Sequence, residues 1–174
     1  MSPEQRRVRL RLLEPGDAEI LYPLVANRRV TDTLSWDGPV SLDDLREALD
    51  ERRKAAAEGR YRYYTIVEAA TGQPTGCATL RPLDAFRADI GLWIGEPYWG
   101  KGYGTETIRQ IVELGFGELP LEKIEATVFE GNWGSRRIFE KNGFQLEGTI
   151  RRNVRKRGVL LDQWLLGLLR EEYE

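Results

Sequence analysis

The sequence predicts an α+β fold, a mixed sheet of about seven strands flanked by about four helices in the order βααβββαβαββ. Three features predict it. Short segments alternate apolar and polar residues with period two, as in Val8-Arg9-Leu10-Arg11-Leu12 and Lys123-Ile124-Glu125-Ala126-Thr127-Val128. Others repeat apolar residues at helical spacing, as Leu42, Leu45 and Leu49 do. The 174 residues suit one domain with a sizeable core, expected over 1–174, and hold no internal repeat or linker.

Val8 to Leu12 reads as the first strand. Pro15-Gly16-Asp17 starts a helix to about Ala26, with Pro23 set to kink it or end it early. Residues 31–40 read as loop. Ser41-Leu42-Asp43-Asp44 resembles a capping box with Asp in the Glu position, opening a helix to about Glu58. Tyr61 to Glu68 is aromatic and β-branched and reads as strand two. Thr71-Gly72-Gln73-Pro74 turns the chain into strand three, near Thr75 to Arg81, and strand four lies near Ala88 to Ile94. A helix then runs to near Gly115–Pro120, and Lys123 to Val128 is strand five. One more helix follows. Strands six and seven then flank the basic stretch Arg151 to Arg157, with Gly158 in the turn.

Composition excludes several function classes. The 26 basic and 28 acidic residues nearly cancel, for a net charge of −2, which argues against wholesale nucleic-acid binding. There is no histidine, so Ser-His-Asp and Cys-His chemistry are out, and no metal site is expected. The one cysteine fits a reducing cytoplasm, and Cys77, mid-strand, reads as a small core residue. No apolar run is long enough to span a membrane. The polar, arginine-bearing N-terminus is not expected to be a secretory signal.

The most informative stretch is Trp99-Gly100-Lys101-Gly102-Tyr103-Gly104-Thr105, between strand four and an amphipathic helix bearing Ile108, Ile111, Val112 and Phe116. Glycines let backbone approach an anion closely, and the free N–H groups of a helix start point at it. A phosphorylated cofactor is therefore expected. A Walker loop fails because Gly102 stands where Ser or Thr must hold magnesium, and neither glycine register completes G-x-G-x-x-G. A second motif, Asn132-Trp133-Gly134-Ser135-Arg136-Arg137-Ile138-Phe139-Glu140-Lys141-Asn142-Gly143-Phe144, reads as a helix capped by Asn132 or Ser135 and ended by Asn142-Gly143.

The glycine-rich turn resembles the pyrophosphate loop of the GCN5-related N-acetyltransferase (GNAT) superfamily, and the second motif resembles that family's N-x-x-S-x-x-[hydrophobic]-[YF]-E-K-x-G-F segment. Leu10 to Asp17, Glu147-Gly148-Thr149-Ile150-Arg151-Arg152, Gly158, Asp162 and Leu165-Leu166 are similar to the RimJ/RimL-like branch. The resemblance covers nearly the whole chain. It implies the GNAT fold, acetyl-CoA without a metal, and transfer to a primary amine on a protein N-terminus, polyamine, amino sugar or small metabolite. By resemblance, Leu92, Trp93 and Ile94 bind the pantetheine amides. Trp99, Gly100, Lys101, Gly102, Tyr103, Gly104 and Thr105 hold the diphosphate. Asn132, Ser135 and Phe139 complete the cofactor site.

This chain departs from the family at three places. Trp99 stands where Arg or Gln is common, and Lys101 is placed to compensate. Phe139 replaces the tyrosine that often protonates the thiolate. Ser135, one helical turn earlier, is the substitute donor, the alternative being a helix-cap hydroxyl. The acid that some ribosomal-protein members carry shortly after the place of Arg151 corresponds to Val154, which argues against ribosomal substrates.

Asp89 is the first candidate for general base and acceptor contact, against a merely solvated strand residue. Glu130, Asp162 or a water relay are the other bases. Trp36 is the candidate acceptor wall, with Trp93 and Tyr64 beside it, although tryptophans in such domains are mostly core. Arg151, Arg152, Arg155, Lys156 and Arg157 form either a solvated hairpin or an attractor for an acidic peptide, RNA or the cofactor's 3′-phosphate. Two other function classes stay open: a non-catalytic CoA-binding regulator, and an RNA- or ribosome-associated binding module. A homodimer through the sheet or tail is compatible with the sequence.

Overall fold

In the computed structural model, which describes residues 6–173, seven segments join one sheet. They are β1 (Val8–Leu12), β2 (Arg62–Glu68), β3 (Pro74–Pro82), β4 (Arg87–Ile94), β5 (Lys123–Phe129), β6 (Gln145–Lys156) and β7 (Val159–Leu169), in the spatial order β1-β2-β3-β4-β5-β7-β6. Every neighbouring pair is antiparallel except β4 and β5. The helices are α1 (Asp17–Val25), α2 (Arg28–Thr31), α3 (Leu42–Ala57), α4 (Tyr103–Glu118), α5 (Trp133–Glu140) and α6 (Arg170–Tyr173). The N-terminal stretch expected to be no secretory signal begins outside the described residues.

The mixed α+β architecture with seven strands is as expected, but among the described residues there are six α-helices rather than about four. The additions, α2 and α6, are single turns of four residues. Such turns carry no periodicity to read and are fixed by local bonds. The Asn27 side chain accepts from the Arg29 N–H at 2.9 Å, and the Glu172 carboxylate accepts from the Leu169 N–H at 2.8 Å. Pro23 lies inside α1. At α3 the cap forms as read, with Ser41 Oγ accepting from the Asp44 N–H at 3.1 Å. The return bond goes to the Val40 N–H instead of that of Ser41, at 2.8 Å.

The basic stretch is strand rather than connection. β6 runs to Lys156, and Lys156 pairs with Val159 across the two-residue turn Arg157-Gly158. Both turn residues have positive φ, 46° and 84°, the requirement of a type I′ hairpin. A register shift between Ile150 and Val154 leaves Arg152 at φ 51°, where Asp162 Oδ1 accepts its N–H at 2.7 Å.

Period two divides the sheet between two cores. Ala78, Leu80, Ala88 and Ile90 face α4, which buries Ile108, Ile111, Val112 and Phe116 against them. Cys77 faces the other way, among Leu21 and Val25 of α1 and Leu45 and Leu49 of α3. Helices thus cover both faces. The feature that positions the site lies mid-sheet: β4 and β5 pair only from Arg87–Asp89 to Lys123–Glu125 and then share no register.

Candidate active site

Beyond Asp89 the β5-facing edge of β4 is open. Gly95 N–H donates to the Thr75 carbonyl at 2.8 Å. Antiparallel alternation therefore turns the N–H groups of Ile94 and Leu92 away from β3, into the gap. Two cavities meet there, of about 690 Å³ on the α4 side and about 850 Å³ on the α3 side. Leu92, Trp93, Asn132 and Ser135 line both, and Thr33 and Leu34 of the α2–α3 connection border both. β3 meets β4 closely: a Cβ at Gly76 would fall against the Trp93 carbonyl oxygen and 2.9 Å from Ile94 Cα.

The α4-side cavity ends on the glycine-rich turn. Gly100 and Gly102 have φ of 74° and 80°, in the left-handed region that glycine reaches without strain. Gly102 caps α4 with no side-chain hydrogen bond. The first-turn N–H groups of Tyr103, Gly104 and Thr105 are therefore offered to the cavity, at the positive end of the helix dipole. A Cβ at Gly102 would meet Arg7 Nη1 at 2.7 Å, and one at Gly104 would meet Ile138 Cδ1 of α5 at 2.7 Å. Trp99, Gly100 and Thr105 also lie on this wall.

Lys101 does not. Its ammonium sits 5.3 Å over the Tyr98 ring, and its carbonyl accepts from Arg7 Nη1 at 2.9 Å. Arg7, absent from the sequence reading, brings a guanidinium to the wall, which Arg137 and Lys141 of the α5 segment also border, and its backbone N–H donates to Glu106 at 3.0 Å. Trp99 Nε1 donates to the Ile94 carbonyl at 2.7 Å, tying the turn to the end of β4. Tyr103 donates to Glu68 Oε1 at 2.5 Å; that bond first, then burial, pushes its hydroxyl up to about 12. The Tyr103 proton is thus committed to Glu68.

At the junction, Asn132 caps α5: its Oδ1 accepts from the Ser135 N–H at 3.1 Å. Ser135 is not the cap, and its side chain stands where the cavities join. Phe139 is a core residue, edge-on to Phe144 at 5.2 Å, and borders only the α3-side cavity.

The α3-side cavity holds Asp89, Trp36, Trp93 and Cys77 on its walls. Asp89 accepts from Arg81 through both oxygens, at 2.9 and 2.5 Å. Neither Glu130 nor Asp162 borders either of these two cavities. Glu130 is exposed after β5, and Asp162 is bonded to the Arg152 backbone. Burial pushes the Cys77 thiol up to about 12, so it carries no thiolate near neutrality. Tyr64 is on the wrong face: the wall is made by Tyr61 and Tyr63, on the opposite parity of the strand. Arg52 of α3, also missed, lies 5.4 Å from the Trp36 ring and 5.2 Å from that of Tyr63.

The basic hairpin is not merely solvated. Lys156 is buried, and its ammonium donates to the carbonyls of Thr31 and Trp36 at 2.9 and 2.8 Å and meets Asp37 at 2.8 Å. Arg157 pairs with Asp32. The hairpin therefore pins the connection that carries Trp36. Arg7, Arg52 and Lys156 act across 94 or more residues or through the face of a strand, and no local pattern marks them.

Among the described residues, no three of His, Cys, Asp and Glu converge as a metal site would require, and no helix is long and apolar enough to cross a membrane. A family model described as an acetyltransferase (GNAT) domain matches residues 7–145. The chain is 31% identical over 176 residues to a probable N-acetyltransferase of Bacillus subtilis, YjcK, covering 97% of each. A crystal structure of a probable acetyltransferase superposes with a TM-score of 0.88 at 30% identity, covering 97% of this chain and 96% of that one. Mycobacterium smegmatis RimJ, solved with CoA-disulfide, superposes with a TM-score of 0.86 at 24% identity, over 95% and 83% of the two chains, a likeness of fold.

Proposed function

This chain belongs to the acetyltransferase (GNAT) domain family, and from that membership we propose that it moves the acetyl group of acetyl-CoA to the primary amine of a small molecule or peptide, by direct attack in a ternary complex. One observation carries this reading. An anion cradle at the head of α4 and an aromatic-walled cavity under α3 open onto the same unpaired edge of β4.

The residues fit coenzyme A. Its diphosphate suits the N–H groups of Tyr103 to Thr105 and the Arg7 guanidinium, where glycines keep side chains out of the way. Its amide-bearing arm suits the open N–H groups of Leu92 and Ile94, with Asn132 beside them. Its acetylated form, when bound, would supply the acyl thioester.

The chain's own groups do the rest. A backbone N–H of β4 donates to oxygen that gains charge during attack. Ser135 holds a hydroxyl proton at the junction, in the role of donor to a departing thiolate. Asp89 is the one of the three candidate bases on the wall, held by Arg81 through both oxygens, and we assign it the role of accepting the amine's proton. The high pKa of Cys77 favours direct attack over an acetyl-cysteine route. Residues 6–173 act as one unit, and the single buried cysteine suits a reducing cytoplasm.

The test is calorimetric titration with acetyl-CoA, followed by thiol release in the presence of a panel of amines. Gly102→Val is expected to weaken acetyl-CoA binding roughly a hundredfold, since a β-branched residue is strained at positive φ and displaces Arg7. Binding without thiol release from any amine would reduce the chain to a CoA-binding regulator. No heat from the wild-type protein would overturn the assignment altogether.

A further inference from the structure

We infer that the acceptor carries an oxyanion, a carboxylate or a phosphate, besides its amine, and that Arg52 receives it. This rests on the acetyl transfer proposed above and names the substrate class of the same site. Arg52 borders the α3-side cavity, half-buried between the rings of Trp36 and Tyr63 at 5.4 and 5.2 Å. Attraction between a guanidinium and the faces of aromatic rings uses its charge and none of its N–H donors. Among the described residues none of those donors meets a protein acceptor, and no carboxylate pairs with Arg52. Of the other guanidinium groups on the wall, Arg81 is paired with Asp89 and Arg60 with Glu58; Lys54 and Glu51, which also border the cavity, add one charge of each sign.

A cation drawn partly out of water without a counter-ion is a standing cost to the fold. An incoming oxyanion repays it with charge-assisted, two-pronged bonds. A polycation meets repulsion at the same place. The position also suits an acceptor rather than the acyl donor. Tyr63 pairs with Thr79 and Thr79 with Gly91, so the ring over which the guanidinium sits belongs to a residue about two strand spacings, roughly 10 Å, from the open edge of β4. A small amino acid derivative or short peptide spans that distance.

The experiment uses matched probes titrated into the full chain saturated with CoA: phenylalanine against phenylalaninamide, glycylphenylalanine against its amide, and phosphoethanolamine against ethanolamine. The same probes are then assayed for thiol release with acetyl-CoA. The anionic member of at least one pair is expected to bind tenfold tighter or more. Which pairs discriminate tells carboxylate from phosphate. Arg52→Gln should bring each pair within twofold, while Arg52→Lys, which keeps the charge, retains part of the preference. Equal or weaker binding of every anionic member, a preference that survives Arg52→Gln, or no binding by any probe overturns the inference. Selective binding without thiol release upholds anion recognition and removes acetyl transfer instead.

Discussion

Asp17 lies where β1, β2 and α1 meet, and it is 2% exposed. Burial alone would raise its pKa. Hydrogen bonds from Arg11, from Thr65 Oγ1 at 2.6 Å and from the Glu14 N–H at 2.9 Å outweigh that and hold it below the ordinary value of 3.8. A carboxylate depressed in the folded state stabilises it above the unfolded pKa, and that increment is lost as pH falls through the folded one. Denaturant melts between pH 2 and 7 should therefore show stability falling below about pH 4. Asp17→Asn should flatten that slope and cost about 2–3 kcal/mol at neutral pH, between the limits for surface and buried pairs. At this scale the sequence told residue types but not directions. Asn132 and Ser135 were both legible as caps, and geometry chose Asn132. Tyr63 and Tyr64 are neighbours on β2, with Tyr61 just before it, and alternation says that Tyr63 and Tyr64 face different ways without saying which way the cavity lies. Arg52 carries no signal of its own, since it becomes conspicuous only once Trp36 and Tyr63 close on it from other elements.

The β6–β7 hairpin acts on the acceptor side through a single strut. Lys156 reaches the carbonyls of Thr31 and Trp36 and the carboxylate of Asp37, and so sets the course of the α2–α3 connection. Lys156→Met should leave those carbonyls without a donor, at about 1–3 kcal/mol. Steady-state kinetics are expected to show acceptor KM rising about tenfold while acetyl-CoA binding stays within about twofold, because the cradle lies at the other end of the gap. Equal losses on both sides would show that the strut supports the fold and not the pocket. Elements with several periods were read within a few residues of their ends, α3, α4 and β5 among them. The one-turn α2 and α6 were not, having no period to display. The basic run from Arg151 reads as a connection because charge usually marks solvent; in the structure it is an edge strand exposed at successive residues until its last lysine turns inward.

Across the whole molecule, two cores on opposite faces of one sheet are joined by β3 and β4, and the sheet parts at its middle. Any ligand seated in that parting touches both halves, so it stabilises the protein as a unit. Acetyl-CoA at about a hundred times its Kd should add about 2.7 kcal/mol, and thermal melts should rise by roughly 5–10 °C. Gly102→Val should lose most of that gain. The class of fold and the order of its strands along the chain were readable from periodicity. The placement of β7 between β5 and β6 was not, because neighbours in space are chosen by long-range packing that no local window contains. Nor was the parting itself, which is an absence of pairing between two strands that each look regular. Gly76 fixes what can be rebuilt around it. With hydrogen as its whole side chain, it is a pivot point that tolerates no bulk, whereas Arg52, Tyr61 and Tyr63 stand on α3 and around β2, apart from the elements that grip phosphate. Donor and acceptor recognition are thereby separable in the chain, and a library seeking new amine selectivity has three variable places and one that it must leave untouched.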